Sequence, residues 1–254
     1  MTDTPTSTVK TTETSLDVVD ILFEEGPMRP EAVQSKLGLA RSTAHRHLLT
    51  LQERGYVVKN GERYGLSLKF LTIGGDLQRE LPAYHIIKSK TDELAEQTGE
   101  RAQFIVREGP DRVYVYTETG ESRVQTGAYM GRRGPLYSSA AGKSILAHLD
   151  EDLLDSLIAD FEFEPMGPNT ITDTDALRED LATIRERGYG LNLEESTKGV
   201  HAIGTCIRGN DDEVIGALSV SGPATRLSKD RLENQLPDAV LAAVNELELH
   251  IEHT

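Results

Sequence analysis

The sequence predicts an α+β protein in two parts: a small helical N-terminal unit ending in a hairpin, and a larger unit of strands and helices. Three observations carry this. Apolar residues recur at helical spacing up to Gly55. An Asn-Gly pair between β-rich runs follows. Beyond Glu100, six strand-like runs appear, mostly in two groups of three, with helical segments among them.

Residues 1–14, within MTDTPTSTVKTTETS, are polar, lack the apolar core of a secretory signal, and are expected to form a flexible tail. From Ser15, SLDVVDILFEEG offers Leu16, Val19, Ile21, Leu22 and Phe23 as the buried face of a short helix closed by Gly26-Pro27. RPEAVQSKLGL gives a second helix, with Pro30 early in it and Gly38 at its end. ARSTAHRHLLTLQERG gives a third over Ala40–Arg54, where Ala44, Leu48 and Leu51 fall at i, i+4 and i+7. The very short Gly-containing turn between these two makes a helix-turn-helix. YVVKNGERYGLSL adds a hairpin around Asn60-Gly61, which completes a winged helix-turn-helix over residues 15–66. SLKFLTIGGDLQREL, weakened at Gly74-Gly75, is expected to be a linker helix over 67–81.

The second unit, 82–254, opens with a helix that turns Ile86, Ile87 and Leu94 inward and ends at Gly99. RAQFIVRE and RVYVYTE are strands around the Gly109-Pro110 turn, and RVQTGAYMG is a weaker one. A helix is expected up to about Leu149, a second capped by Asp150, and a third ending at Gly188. Three strands follow in YGLNLEE, GVHAIGTCIRG and VIGALSVSG. A last helix runs from a Ser228 cap and is restarted or kinked at Pro237.

Composition narrows the function. No apolar run of the 254 residues approaches the ~18–20 needed to span a membrane. The one cysteine, Cys206, excludes an internal disulfide and points to a cytoplasmic setting. The histidines are scattered without cysteine partners, so no metal site is expected. Net charge is −15, yet Gly26–Phe70 holds eight basic and three acidic residues, a local +5. A basic patch of this kind is the footprint of a nucleic-acid-binding face. The acidic remainder fits a solvation device for a high-salt interior, and equally an ordinary surface that keeps the chain soluble.

One stretch invites an enzymatic reading. YSSAAGKSIL contains Gly142-Lys143-Ser144, the end of a phosphate-binding loop. Such a loop needs a glycine five residues before Gly142, and that position is Tyr137. The motif therefore fails, and its Gly-Lys-Ser is expected to be incidental. Lys143 is expected to point to solvent as mid-helix lysines usually do, although an anionic ligand would also attract it. No G-x-S-x-G elbow occurs, and Glu194-Glu195, adjacent on a strand, would face opposite ways.

The third helix presents Arg41, Ser42, Thr43, His45 and Arg46 in its N-terminal half, opposite its apolar stripe. A recognition helix needs hydroxyls and guanidinium groups there to reach base edges and phosphates. Lys59 and Arg63, beside the wing tip, would contact backbone or minor groove. A solvated polar face on any small helical domain has the same pattern; the basic cluster, short turn and wing together favour DNA. His47 is placed as a half-buried packing residue. It does not share a metal with His45, because residues two apart face different ways. Arg54, near the helix end, suits the dipole and is left outside the site.

With these elements in order, the chain resembles IclR-type transcriptional regulators. The likeness lies in GLARSTAHRHLLTLQERGYV, GPLYSSAAGKSILAHL, IRERGYGLNLEESTKGVHAIGTCI and GALSVSGPATRL, and extends from Leu16 to Ile251. The resemblance implies a C-terminal GAF-like domain with an antiparallel sheet flanked by helices. It implies dimers or dimers of dimers on palindromic operators in double-stranded DNA, with a small effector such as an organic acid or a sugar-derived metabolite. No cofactor is implied. Carried over by position, the effector pocket comprises Ala140 and Ala141 at a helix N-terminus, with Asn192, Ala202, Ser219 and Ser221. Asn192 and Ala202 depart from relatives that carry Asp and Cys there. A helix start of small residues can hold a carboxylate on its N–H groups. The remaining alternatives are a sensor module acting through protein partners and a small-molecule enzyme.

Overall fold

The computed structural model of the protein describes residues 8–120 and 129–253, and it divides into two compact units, Met1–Glu80 and Leu81–Thr254. Ten basic and eleven acidic residues precede Leu81, so −14 of the net −15 belongs to the second unit.

In the first unit, helix α1 spans Lys10–Glu25, α2 Pro30–Leu37 and α3 Arg41–Glu53. The start of α1 corrects the expected tail: residues 10–14 are helical, in a polar, Thr-rich stretch with no apolar period to announce it. Its buried face is Val18, Ile21 and Leu22, whereas Leu16 and Phe23 are exposed. Gly38 takes a left-handed φ of 62° and returns an N–H to the carbonyl of Gln34, which ends α2 and lets α3 begin three residues later. Strands β1 (Val57–Asn60) and β2 (Arg63–Leu66) pair antiparallel, with Asn60 opposite Arg63. The two-residue turn is therefore Gly61-Glu62, one step beyond the Asn-Gly pair, with Gly61 supplying the positive φ. Val18, Leu22, Met28, Val33, Ala44, Leu48, Val57 and Tyr64 close one core. Helix α4 (Lys69–Glu80) buries none of its residues.

In the second unit, α5 (Tyr84–Thr98) leads into β3 (Arg101–Glu108) and β4 (Asp111–Thr119). The expected strand over 123–131 falls largely outside the described residues; Tyr129–Gly131 are not strand, and β5 (Arg133–Pro135) follows them. A short turn of helix at Leu136–Ser138 precedes α6 (Ala140–Ala147), then come α7 (Glu151–Ala159) and α8 (Thr174–Arg187). Asp150 precedes α7 without a side-chain cap, while Asp173 caps α8 through the N–H groups of Asp175 and Ala176. Strands β6 (Gly190–Leu193), β7 (Val200–Arg208) and β8 (Val214–Pro223) precede α9 (Lys229–Asn234) and α10 (Leu236–Glu252). Pro237 sits in the first turn of α10 and so begins a new helix.

The six strands form one antiparallel sheet in the order β5-β4-β3-β8-β7-β6. The two sequence triplets are joined by β3 against β8. One face packs against α5 and α10 around Ile87, Phe104, Leu218 and Val240. The other packs against α6, with α7 and α8 behind it, around Ile145, Leu146, Leu181 and Ala217.

Candidate functional site

On α3, Ala44 and Leu48 are buried and Leu51 half-buried, which turns Arg41, Ser42, His45 and Arg46 outward as one exposed face. Thr43 is half-buried at the edge of that face. His47 is half-buried, and its Nδ1 is 2.8 Å from the Ser15 hydroxyl on α1. The helix starts after Ala40 without a side-chain cap, and among the described residues the N–H groups of Arg41 and Ser42 meet no acceptor. An uncapped helix start beside arginines is a ready phosphate site. Arg46 has no charged partner among the described residues, whereas Arg41 pairs loosely with Glu31 at 3.7 Å. Lys59 and His45 border the same groove; the ammonium of Lys59 lies 5.3 Å from the Tyr64 ring centre. Arg63 donates to the Pro27 carbonyl at 3.0 Å, which ties it to the base of the wing.

The second site rests on the sheet register. Gly190, Gly204 and Ser219 form one row across β6, β7 and β8, and Asn192, Ala202 and Ser221 form the next row on the same face. A Cβ on Gly204 would lie 2.7 Å from the Ala141 nitrogen, and one on Gly190 would lie 2.5 Å from the Ala140 carbonyl oxygen. The bare glycine row thus lets the first turn of α6 settle directly on the sheet. The neighbouring row leaves a cavity of about 30 Å³, room for about two waters. All six positions carried over by resemblance, Ala140, Ala141, Asn192, Ala202, Ser219 and Ser221, line it.

Their hydrogen bonds distinguish them. The Asn192 amide donates to the Ser138 carbonyl (3.1 Å) and the Ser196 hydroxyl (2.9 Å), and accepts from the Glu195 N–H (3.0 Å). It shapes the wall rather than offering a free donor. Ser219 donates to the Ile203 carbonyl at 2.9 Å. Ser221 accepts from the Gln103 amide at 2.5 Å, so its own proton has no acceptor among the described residues. Two further lining residues, Arg112 and Gln103, were not singled out in the sequence, because a charged or amide side chain in a β-rich run looks like an outward position. Both are buried.

The Gly142-Lys143-Ser144 run is not incidental. A Cβ on Gly142 would collide with the Leu136 carbonyl, and Ser144 donates to the Gly204 carbonyl at 2.7 Å. Lys143 does not reach solvent. It is 1% exposed, with Nζ 2.8 Å from Asp180 and 2.6 Å from Glu195. Neither of those carboxylate oxygens meets hydrogen-bond geometry, so the contacts act through charge. Burial pushes the Glu195 carboxyl above the usual range, with Lys143 pulling it down. Glu194 and Glu195 follow β6 rather than extend it, and Glu194 has a φ of 64°. Tyr137, the residue that breaks the loop motif, is buried; its hydroxyl donates to the Glu162 carbonyl and accepts from the Glu164 N–H. Burial pushes the Cys206 thiol up to about 12, which leaves it inert.

Both units have counterparts in known proteins. Residues 78–248 match the family described as "Bacterial transcriptional regulator IclR C-terminal", and residues 12–61 match the IclR helix-turn-helix domain. The chain belongs to the IclR family. It is 33% identical to a probable HTH-type transcriptional regulator, ArcR, of Halobacterium salinarum, over 94% of this chain and 92% of that protein. The crystal structure of Thermotoga maritima IclR superposes with a TM-score of 0.83 at 26% identity, covering 95% and 98% of the two chains. The inducer-binding domain of the Acinetobacter PobR transcription factor, a double mutant in complex with 3-hydroxybenzoic acid, matches at TM-score 0.61 and 26% identity over 66% of this chain and 98% of that one. This IclR-family chain is thus a DNA-binding transcriptional regulator with a C-terminal effector domain, and not an enzyme. Among the described residues no helix is long and apolar enough to cross a membrane.

Proposed function

We propose that this regulator works in the cytoplasm as a homodimer or dimer of dimers on a palindromic operator. Arg41, Ser42, Thr43, His45 and Arg46 enter the major groove, while Lys59 and Arg63 hold the flanking backbone or minor groove. An organic acid or sugar-derived metabolite binds against Ala140, Ala141, Asn192, Ala202, Ser219 and Ser221. Its binding changes operator affinity because it favours one arrangement of the two reading heads over the other. The head runs from the start of α1 at Lys10 to residue 66, followed by a linker helix over 67–81 and an effector domain over 82–254.

The observation that carries the DNA assignment is the exposed α3 face, where Arg46 meets no carboxylate among the described residues beside an uncapped helix start. Dimerisation is supported by apolar side chains left open in the same unit: Leu16 and Phe23 on α1, and Leu68, Leu71 and Leu77 on or beside α4. The effector assignment is supported by the six residues carried over by resemblance meeting around one small cavity between the glycine row and the start of α6.

The test is genome-wide DNA binding with and without candidate metabolites, followed by gel shifts on the recovered operator. Arg46→Ala is expected to weaken the shift. Unchanged affinity would remove α3 from the reading face. Ser219→Ala is expected to blunt the response to the metabolite while leaving operator binding intact.

A further inference from the structure

The first four residues of α1, Lys10 to Glu13, are all exposed, so packing does not explain the turn they form. Three of the first five are threonine, a β-branched residue that disfavours helices. What the turn does is build a wall. With α3 it borders a groove of about 470 Å³, lined by Thr11, Thr12, Ser15, Arg46, His47 and Thr50. The wall is held at its foot. His47 Nδ1 lies 2.8 Å from the Ser15 hydroxyl, which ties this end of α1 to the middle of α3. The Ser15 hydroxyl also donates to the Thr11 carbonyl at 3.1 Å, and that of Thr14 to the Lys10 carbonyl at 2.9 Å. The hydroxyls of Thr11, Thr12 and Thr50, in contrast, meet no partner among the described residues.

Charge separates this groove from its neighbours. Arg46 is its arginine, no acid lines it, and Arg46 meets no carboxylate among the described residues. Two other grooves border α3, and both carry acids: Glu31 in one, Glu31 and Glu62 in the other. On α1, Thr11, Thr12 and Ser15 share a face by helical spacing, and Glu13, the acid of the first turn, points away from it. An arginine with uncommitted donors, set among free hydroxyls and no competing carboxylate, suits a phosphate oxygen. Arginine and threonine side chains are ordinary donors to a nucleic-acid backbone.

We propose that this groove seats a backbone phosphate of the duplex that α3 reads, with Thr11, Thr12 and Thr50 donating to it beside Arg46. This rests on the proposed reading of α3 as the DNA-facing helix. It adds the start of α1 as a second contact, apart from the recognition helix and the wing. Such a contact fixes the register of the head on the duplex and carries no sequence information of its own.

Thr12→Lys and Thr12→Glu in the full-length protein separate this contact from a structural role. An acid in the first turn of a helix suits the dipole and a base does not, so stability alone favours glutamate. Phosphate binding demands the opposite order. Fluorescence anisotropy across a salt series is read on the recovered operator and on an unrelated duplex. Thr12→Lys is expected to tighten both, and to steepen the fall of log affinity with log salt by about 0.9, one added phosphate contact. Thr12→Glu is expected to weaken both. The double variant Thr11→Val/Thr12→Val, which keeps the branched shape, is expected to weaken both by about 3- to 10-fold.

Lysine and glutamate variants that bind alike overturn the inference, as does a loss confined to the operator. A change in affinity that comes with a change in oligomeric mass on sedimentation also overturns it, because a second copy would then cover the groove. So does a groove that takes only a free anion. In that case inorganic phosphate, exchanged for chloride at matched ionic strength, would raise the melting temperature of Thr12→Lys while its DNA affinity stayed at the wild-type level. If Arg46→Ala leaves operator affinity unchanged, the reading of α3 falls first and this inference falls with it. If Arg46→Ala weakens binding and every Thr11 and Thr12 variant is silent, this inference alone falls.

Discussion

Helices α3 and α6 both begin after short turns and both carry a basic side chain, yet their surroundings are opposite. The start of α3 is uncapped, and Arg41, Ser42, His45 and Arg46 are exposed. The start of α6 is capped by Ser139, and all eight of its residues are buried. In α3 Arg46 meets no charged partner among the described residues and Arg41 only a loose one, Glu31 at 3.7 Å, which under the proposed reading leaves both for DNA. In α6 the polar groups are spent on the protein itself: Lys143 on Asp180 and Glu195, and Ser144 on Gly204. The same residue types are therefore free at the surface in one helix, as the proposed recognition role requires, and architectural in the other, and burial decides which.

The comparison is broken or sharpened most strongly by Lys143→Ala. Removing the ammonium strands two carboxylates, one of them 10% exposed, and should cost about 3–5 kcal/mol of stability. Asp180, one-quarter exposed, keeps the loss toward the lower end of that range. Urea denaturation reads it directly. A loss below about 1 kcal/mol would mean that the buried cluster is not holding α6 to α8 and the sheet.

Arg46→Ala should do the reverse, shifting stability by less than about 0.5 kcal/mol. Its operator affinity should fall by about 1–3 kcal/mol if the guanidinium reaches a base edge. Fluorescence anisotropy across operator variants distinguishes loss at one base position from a uniform loss. Lys59→Ala should have a smaller effect. It should weaken binding evenly across sequences and lower the salt dependence by about one phosphate contact, seen as a shallower slope of affinity against salt.

The smallest effect expected is in pH. Glu195 holds its proton more tightly in the folded chain than its ordinary value of 4.5, first because it is buried. That contribution is fully present below the ordinary value and is lost as pH rises through the raised one. The stability of wild type relative to Glu195→Gln should therefore decline with rising pH across this window. A difference that stays flat would mean Lys143 compensates the burial completely.

Much of this fold is visible in the order of the residues, because its elements are delimited by local signals. Gly38, Gly99 and Gly188 take left-handed caps where helices end, and Asp173 caps α8. What the sequence hides is long-range. Nothing near Lys143 marks it as buried, since its partners lie 37 and 52 residues away and meet it only when α8 and the end of β6 close over α6. Arg112 is hidden for a related reason. Its room comes from Gly134 across the strand pair, and alternation along β4 alone does not reveal it. The start of α1 is missed because Thr and Lys residues give no apolar period, although the helix continues through them.

The division of charge between the two units has a kinetic consequence. The reading head is nearly neutral overall but basic on one face, while the effector unit carries −14. Under the proposed reading, a polyanion repels the acidic unit and attracts the face that bears Arg46 and Lys59. Wrongly oriented collisions with the duplex are then expected to be turned away, and grip on random DNA to stay weak. The acidic charge of the second unit would then act as a filter on approach, letting the protein search for its operator without lingering elsewhere.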